Sequence, residues 1–233
     1  MKAAIIAEGR GDLAVITNIL KGKLNIDRSD IKYIRPEYKY DQTDMAQMDE
    51  KSLSNWTLVK SECQSRDDWE LFLNLYENAF LVIQIDTAER GEKGYDVSYP
   101  LRTGIQNQNV YCAELRASVI SEINKWLGDD LPPKIAYAVC IEETEAWIMA
   151  LYGETNTSKS ARPKEKLNEI LNKKFSNRKD RLILSMQDEF KKMEKLSENF
   201  AKKRILEKIQ KNNMSLDSFC DNLLEIFDLS KYR

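Results

Sequence analysis

Ala79-Phe80-Leu81-Val82-Ile83-Gln84-Ile85-Asp86 is an almost continuously apolar run that ends abruptly in an acid. A strand with one face in water alternates apolar and polar residues, whereas a strand covered on both faces does not. This stretch therefore predicts an interior strand of a parallel sheet. The same signature recurs on either side of it. Lys2 to Ala7 is a compact apolar segment running into Glu8-Gly9-Arg10-Gly11-Asp12, after which Leu13, Ile16, Ile19 and Leu20 follow at helical spacing. Ile31 to Ile34 is a short strand stopped before Pro36. Ile135 to Ile141 is a buried strand that follows Pro132-Pro133 and ends at Glu142. Strands alternating with helices predict an α/β fold: a Rossmann-like, mostly parallel sheet with helices on both faces.

The intervening segments are less regular. Residues 37–66 are polar and read as an insertion or long loop, with a short strand expected at Trp56–Val59. Trp69, Phe72, Leu73 and Tyr76 form the apolar face of a helix. Residues 87–108 contain Gly91, Gly94, Pro100 and Gly104 and predict a long loop over the end of the Ala79–Asp86 strand, a position where function often resides. Val110 to Leu127 reads as a helix closed by Gly128, and another is expected from about Glu143, carrying Trp147, Ile148 and Leu151. From Pro163 the pattern is helical. Leu167, Ile170 and Leu171 share a face, a lysine-rich helix or helix pair spans about 186–212, and Ser215 or Asp217 caps a last helix with Phe219, Leu223, Leu224 and Phe227. The expected division is an α/β domain over 1–152 and a helical, basic extension over 153–233 packed on it.

At 233 residues and 42% hydrophobic content the chain can bury one good core. No apolar run approaches the roughly 20 residues of a membrane helix. Met1 to Ala7 meets Glu8 at once, unlike a signal peptide, so a cytoplasmic location is expected. Cys63, Cys112, Cys140 and Cys220 lack paired metal-ligand spacing and read as buried thiols in a reducing compartment. Histidine is absent, which excludes histidine-based triads and histidine general bases. Acid–base or metal chemistry must come from other side chains, above all carboxylates.

The acids are not scattered. Three strands end in Glu8, Asp86 and Glu142, and in open α/β sheets the carboxyl ends of the strands line the ligand crevice. Glu8-Gly9-x-Gly11-Asp12 is a glycine-flanked turn into a helix, but neither GxxxxGK[ST] nor GxGxxG is present, so a nucleotide-phosphate cradle is not its first reading. Asp86-Thr87-Ala88-Glu89 puts a carboxylate at the end of a buried strand, where it needs solvent or a cation. Glu142 and Glu145 are three apart, a spacing that sets both on one face of a helix. Mg²⁺ favours such oxygen donors and keeps several waters, so one or two acids suffice.

Together, Glu8-Gly-x-x-Asp12 after a first strand, an apolar strand ending in Asp86, and a later strand running into Glu142-Glu-Thr-Glu145-Ala-Trp147 resemble the TOPRIM domain. The likeness is to the small TOPRIM proteins of bacterial defence systems related to the overcoming-lysogenization-defect nucleases, and it covers about residues 1–152. It implies Mg²⁺ or Mn²⁺ at these acids, with Glu8 as metal ligand or general acid–base group and Asp12 as a supporting acid. Asp86 would be the first acid of an Asp-x-Asp motif, and Glu142 and Glu145 the downstream acids. The second Asp of that motif falls on Ala88, with Glu89 one residue on as the substitute ligand.

Net charge is −2, yet residues 157–233 hold 19 Lys and Arg against 12 Asp and Glu, which makes this part basic and the rest acidic. Lys159, Arg162, Lys164 and Lys166 are the candidate phosphate contacts, and Lys164 or Lys166 is the candidate to neutralise a scissile phosphate. Lys191-Lys192 and Lys202-Lys203-Arg204 read as a solvated helix face. The leading expectation is a metal-dependent nuclease acting on DNA or RNA, an effector of anti-phage defence by the resemblance. The alternatives are a non-catalytic module that binds nucleic acid or a partner ATPase, and a nucleotide-handling phosphotransfer or hydrolase enzyme. The basic helices could equally meet another copy of the chain.

Overall fold

Successive residues of a strand point to opposite faces of its sheet, and the central strands here split cleanly between two cores. Ala3, Ile5 and Ala7, with Phe80, Val82, Ala136, Ala138 and Cys140, enter one. Ala4 and Ile6, with Leu81, Ile83, Ile85, Val139 and Ile141, enter the other. The computed structural model describes residues 1–36, 55–95, 97 and 108–229. Among these, strands β1 (Lys2–Ile6), β2 (Ile31–Arg35), β3 (Ala79–Asp86) and β4 (Ile135–Cys140) form one sheet in the order β2-β1-β3-β4. Every neighbouring pair is parallel. The fold is thus α/β and Rossmann-like, with an all-parallel four-stranded sheet.

The described helices are α1 (Arg10–Leu24), α2 (Asn55–Ser65), α3 (Asp67–Leu75), α4 (Gln108–Leu127), α5 (Glu145–Leu151), α6 (Pro163–Lys174), α7 (Arg178–Leu184), α8 (Glu189–Leu196), α9 (Lys203–Ile209) and α10 (Met214–Leu229). α2, α3 and α4 cover one face of the sheet with Trp56, Val59, Trp69, Leu115 and Ile123. α1, α5, α6, α8, α9 and α10 cover the other with Ile16, Trp147, Leu171, Phe190, Leu206 and Phe219. The C-terminal helices therefore share a core with α1 and the sheet. α10 also reaches the outer edge of β4, where Asn222 Oδ1 accepts the Tyr137 backbone N–H at 3.0 Å and closes part of an edge that no other described strand pairs with.

Two glycines record how tightly α1 is docked. A Cβ on Gly22 would lie 1.9 Å from the Phe200 carbonyl oxygen, so only glycine lets α1 approach the short 3₁₀ segment Glu198–Ala201. A Cβ on Gly11 would meet Met193 Cγ at 3.0 Å. Asn25, in the left-handed region at φ 55°, closes α1 by donating its N–H to the Lys21 carbonyl.

Three expectations need correction. Trp56–Val59 is not a strand: Trp56, Val59 and Cys63 are buried at helical spacing, and they form the inner face of α2. The helix after β4 begins at Glu145 rather than near Glu143, because Glu142 takes a left-handed φ of 65° and turns the chain first. The lysine-rich stretch 186–212 is a helix pair, one of the two forms expected: α8 and α9, separated by the 3₁₀ turn Glu198–Ala201. The last helix is capped by neither Ser215 nor Asp217; Asn213 Oδ1 accepts the Leu216 N–H at 3.0 Å. Residues 37–54 of the expected insertion, Pro100 and Gly104 of the long loop, and the side chain of Phe227 lie outside the described residues. No described helix is long and apolar enough to cross a membrane.

Candidate functional site

The sheet order decides where a site can form. From β1 the chain passes to β2 on one side and later returns to β3 on the other, so the β1/β3 boundary is the topological switch point, where parallel sheets open a crevice at their carboxyl ends. Glu8 follows β1 and Asp86 ends β3 at this boundary. The two are laced together. The Asp86 backbone N–H donates to Glu8 Oε1 at 2.7 Å, and the Glu8 backbone N–H donates to Gln84 Oε1 at 3.0 Å. Asp12, in the first turn of α1, accepts the Gly9 N–H on Oδ2 at 3.0 Å. Glu145 opens α5.

These acids lie within one another's fields. Glu8 is buried, and that burial pushes its carboxyl up to about 8, with Asp12 and Glu89 adding to the rise and Arg35 opposing it. Burial pushes Asp12 to about 6, against a bond from the Thr144 hydroxyl and the pull of Lys164. Glu145 rises to about 7 through burial and the charge of Asp12, again opposed by Lys164. Asp86 is shifted well upward by burial and then by Asp12, Glu8, Glu145 and Glu143. Like charges forced together in a poorly solvated place resist ionising together. Such a cluster holds protons, recruits a cation, or does both.

The crevice has a built wall. Asp86 Oδ1 accepts from Gln84 Nε2 at 2.8 Å and from the Thr144 hydroxyl at 3.2 Å. The Tyr95 hydroxyl donates to the Asp86 carbonyl at 2.9 Å, and its ring packs in a three-ring cluster with Trp56 and Trp126. The loops after β3 and β4 are stitched together: Thr87 and Ala88 donate their backbone N–H groups to the Glu142 carbonyl, and the Glu142 N–H donates to Thr87 Oγ1 at 2.8 Å.

Among the residues singled out in the sequence, Glu8, Asp12, Asp86 and Glu145 come together, with Glu89 near Glu8 and Lys164 near Asp12 and Glu145. Glu142 takes a different role. Its carboxylate forms a two-point pair with Arg90, at 3.2 Å and 3.1 Å, and does not share a helix face with Glu145. Its neighbour Glu143 contributes to the field on Asp86 instead, and accepts the Lys164 backbone N–H at 3.2 Å. Ala88 is exposed. Lys159, Arg162, Lys164 and Lys166 are all exposed around the start of α6, and Arg162 pairs loosely with Glu165 at 3.5 Å. Gln84, Thr144, Tyr95 and Arg35 carried no distinguishing sequence signal, although a lone Gln two residues before a strand-end acid marks a polar group on the face leading into the crevice.

A metal ion can be tested against these donors. All are carboxylate oxygens, the type Mg²⁺ and Mn²⁺ prefer. Glu89 Oε2 is buried and has no hydrogen-bond partner among the described residues, which leaves it free to serve as a donor to a cation. Among the described residues no three acidic or cysteine side chains are arranged to hold a metal ion as they stand. Mg²⁺ keeps several of its waters and needs only one or two protein carboxylates, so the donor set fits such an ion. A surface hollow of about 280 Å³, lined in part by Lys2, Asp30, Lys32 and Tyr76, lies at the opposite end of the strands and holds none of these groups. Compared with known protein families, curated proteins and solved structures, the chain has no significant match.

Proposed function

We propose that this chain is a metal-dependent nuclease of the TOPRIM type, hydrolysing phosphodiester bonds of DNA or RNA. The observation that carries the proposal is the gathering of Glu8, Asp12, Asp86 and Glu145 at the switch point of a parallel sheet, each held above its ordinary carboxylate range by burial and mutual repulsion. Glu8, Asp86 and Glu89 would hold Mg²⁺ or Mn²⁺. When bound, the ion supplies Lewis acidity toward a phosphoryl oxygen and lowers the pKa of a water. In its alternative role, as proton carrier in place of ligand, Glu8, shifted to about 8 without metal, is suited to take or give a proton near neutral pH. Lys164, beside Asp12 and Glu145, offsets charge building on a phosphate, and Lys159, Arg162 and Lys166 follow the nucleic-acid backbone.

The test is cleavage of plasmid, single-stranded DNA and tRNA with Mg²⁺ or Mn²⁺, comparing wild type with Glu8→Ala and Asp86→Ala. Metal-dependent cutting by wild type, lost in both variants, is the expected result. Cutting that survives both substitutions overturns the assignment. A second reading, a non-catalytic module that binds nucleic acid or a partner ATPase, is favoured by the exposed Ala88 in the motif position and by the lack of a ready three-acid group among the described residues. It predicts nucleic-acid binding that is indifferent to EDTA, with no turnover.

A further inference from the structure

Gln84 is fully buried in an otherwise apolar strand, two residues before Asp86 and on the same face of the sheet. A buried primary amide offers one acceptor oxygen and two donor hydrogens, and each must be satisfied. Gln84 Oε1 accepts the Glu8 backbone N–H at 3.0 Å. Since a backbone N–H can only donate, the amide cannot be reversed. Nε2 must therefore face the other way, where it donates to Asp86 Oδ1 at 2.8 Å and to Thr144 Oγ1 at 3.3 Å. Thr144 has its own proton to pass on, and Asp86 Oδ1 lies 3.2 Å away. The donors run in one direction, from the Glu8 backbone through Gln84 and Thr144, and terminate on one oxygen of Asp86. Its other oxygen, Oδ2, takes no hydrogen bond among the described residues.

We propose that Gln84 and Thr144 are positioning residues for a divalent cation at Asp86: they engage Oδ1 and leave Oδ2 as the oxygen that ligates. The proposal rests on the metal-dependent reading above and adds the groups that orient the ligand. The two differ in steadiness. Gln84 is locked by the Glu8 N–H, whereas the Thr144 hydroxyl has one proton and three neighbours within reach, Asp86, Asp12 and Cys140 Sγ, the last at 3.3 Å. Gln84 thus supplies the permanent bond, and Thr144 supplies one that shifts between the two acids.

The test is Mn²⁺ binding by the full chain, read from the loss of the free-ion electron paramagnetic resonance signal, with the thermal midpoint of each metal-free variant measured alongside. Gln84→Met and Thr144→Val remove the donors. Each is expected to weaken Mn²⁺ binding by about 10–100-fold, the usual effect of losing a group that orients a metal ligand. Thr144→Ser keeps the hydroxyl and is expected to bind as wild type does. Gln84→Met also strands the Glu8 N–H, so if it does not fold, the Thr144→Val and Thr144→Ser pair, closer in shape to wild type, decides. Wild-type binding matched by Thr144→Val at an unchanged thermal midpoint overturns the positioning role and leaves the metal site standing. No Mn²⁺ binding by wild type overturns the metal reading itself, and this inference with it.

Discussion

Glu8 and Asp86 are joined by a hydrogen bond of 2.7 Å from the backbone N–H of Asp86 to the side-chain Oε1 of Glu8, across the boundary of adjacent parallel strands. The bond ties the acid that follows one strand to the backbone of the other. Glu8→Gln keeps an oxygen that can accept it and removes the charge. This variant is expected to lose activity by about 10²–10⁴-fold, the usual worth of a positioned proton carrier. Without metal, at pH 8, it is expected to be more stable than wild type by on the order of a few kcal/mol, because a buried charge shifted to about 8 no longer opposes folding. Chemical denaturation and a cleavage assay on the same preparation check both halves.

The same shifts set a pH dependence. Glu8, Asp12 and Glu145 are raised to about 8, 6 and 7, so between their unfolded values and these the folded chain holds more protons than the unfolded one. Stability then falls as pH rises. From these three groups the metal-free protein is expected to lose stability progressively from about pH 4 up to about pH 8. A divalent ion binds the ionised carboxylates, so its stabilisation should grow over the same interval. Thermal midpoints in EDTA and in Mg²⁺, measured from pH 5 to 8.5, should diverge with rising pH. Parallel curves would remove the link between these acids and a cation.

Glu142 is expected to behave unlike its neighbours. It is tied to Arg90 by two bonds, and Arg90 also donates to the Thr87 carbonyl at 2.6 Å, so the pair clamps the loop after β3 to the turn after β4. Glu142→Gln should lower stability by about 1.5–3 kcal/mol, the usual worth of hydrogen bonds to a charged group. It should leave Mn²⁺ affinity close to wild type. A large loss of affinity without loss of stability would return Glu142 to the metal site.

This contrast shows which parts of the molecule could be read from its sequence. Glu8 and Asp86 were legible because an acid that ends a fully apolar strand has few reasons to be there, and parallel topology collects strand ends. Glu142 meets the same criterion, yet it precedes α5 and does not share a helix face with Glu145. Its left-handed φ of 65° reorients the side chain, and a non-glycine residue gives little sequence warning of that conformation. Trp56–Val59 reads as a strand because Trp, Thr and Val favour strands over so short a stretch, and the helical spacing shows only when Cys63 is added. Gln84 passed as one more residue of a core strand; its role depends on the Glu8 backbone reached across the sheet.

Gly22 is another residue whose importance is tertiary. In an isolated helix Gly22→Ala would help by about 1 kcal/mol through helix propensity. Here the added methyl would fall 1.9 Å from the Phe200 carbonyl oxygen, on backbone that cannot swing aside as a side chain does. Overpacking of this kind costs about 1–3 kcal/mol or more. The variant is therefore expected to be destabilised on balance, and protease resistance of residues 189–229 should fall with it, since α1 is their packing surface. An alanine that stabilises the protein would mean that the C-terminal helices are not docked on α1 in this way.

Salt dependence separates the basic residues by role. A lysine that neutralises a phosphate releases a counterion, so each such contact adds about 0.7–0.9 to the slope of log affinity against log salt. Lys164 and Lys166 are both exposed at the start of α6, but Lys164 also lies in the field of Asp12 and Glu145. Lys166→Ala is expected to weaken nucleic-acid binding and to reduce the slope by about one contact, while cleavage at saturating substrate is retained. Lys164→Ala is expected to reduce the slope equally and also to lower the saturated rate, because it removes the cation beside the acids. Fluorescence anisotropy between 50 and 300 mM salt, paired with single-turnover cleavage, distinguishes them. Equal effects of both variants on the saturated rate would deny Lys164 its place beside the reacting phosphate and make the start of α6 a binding surface only.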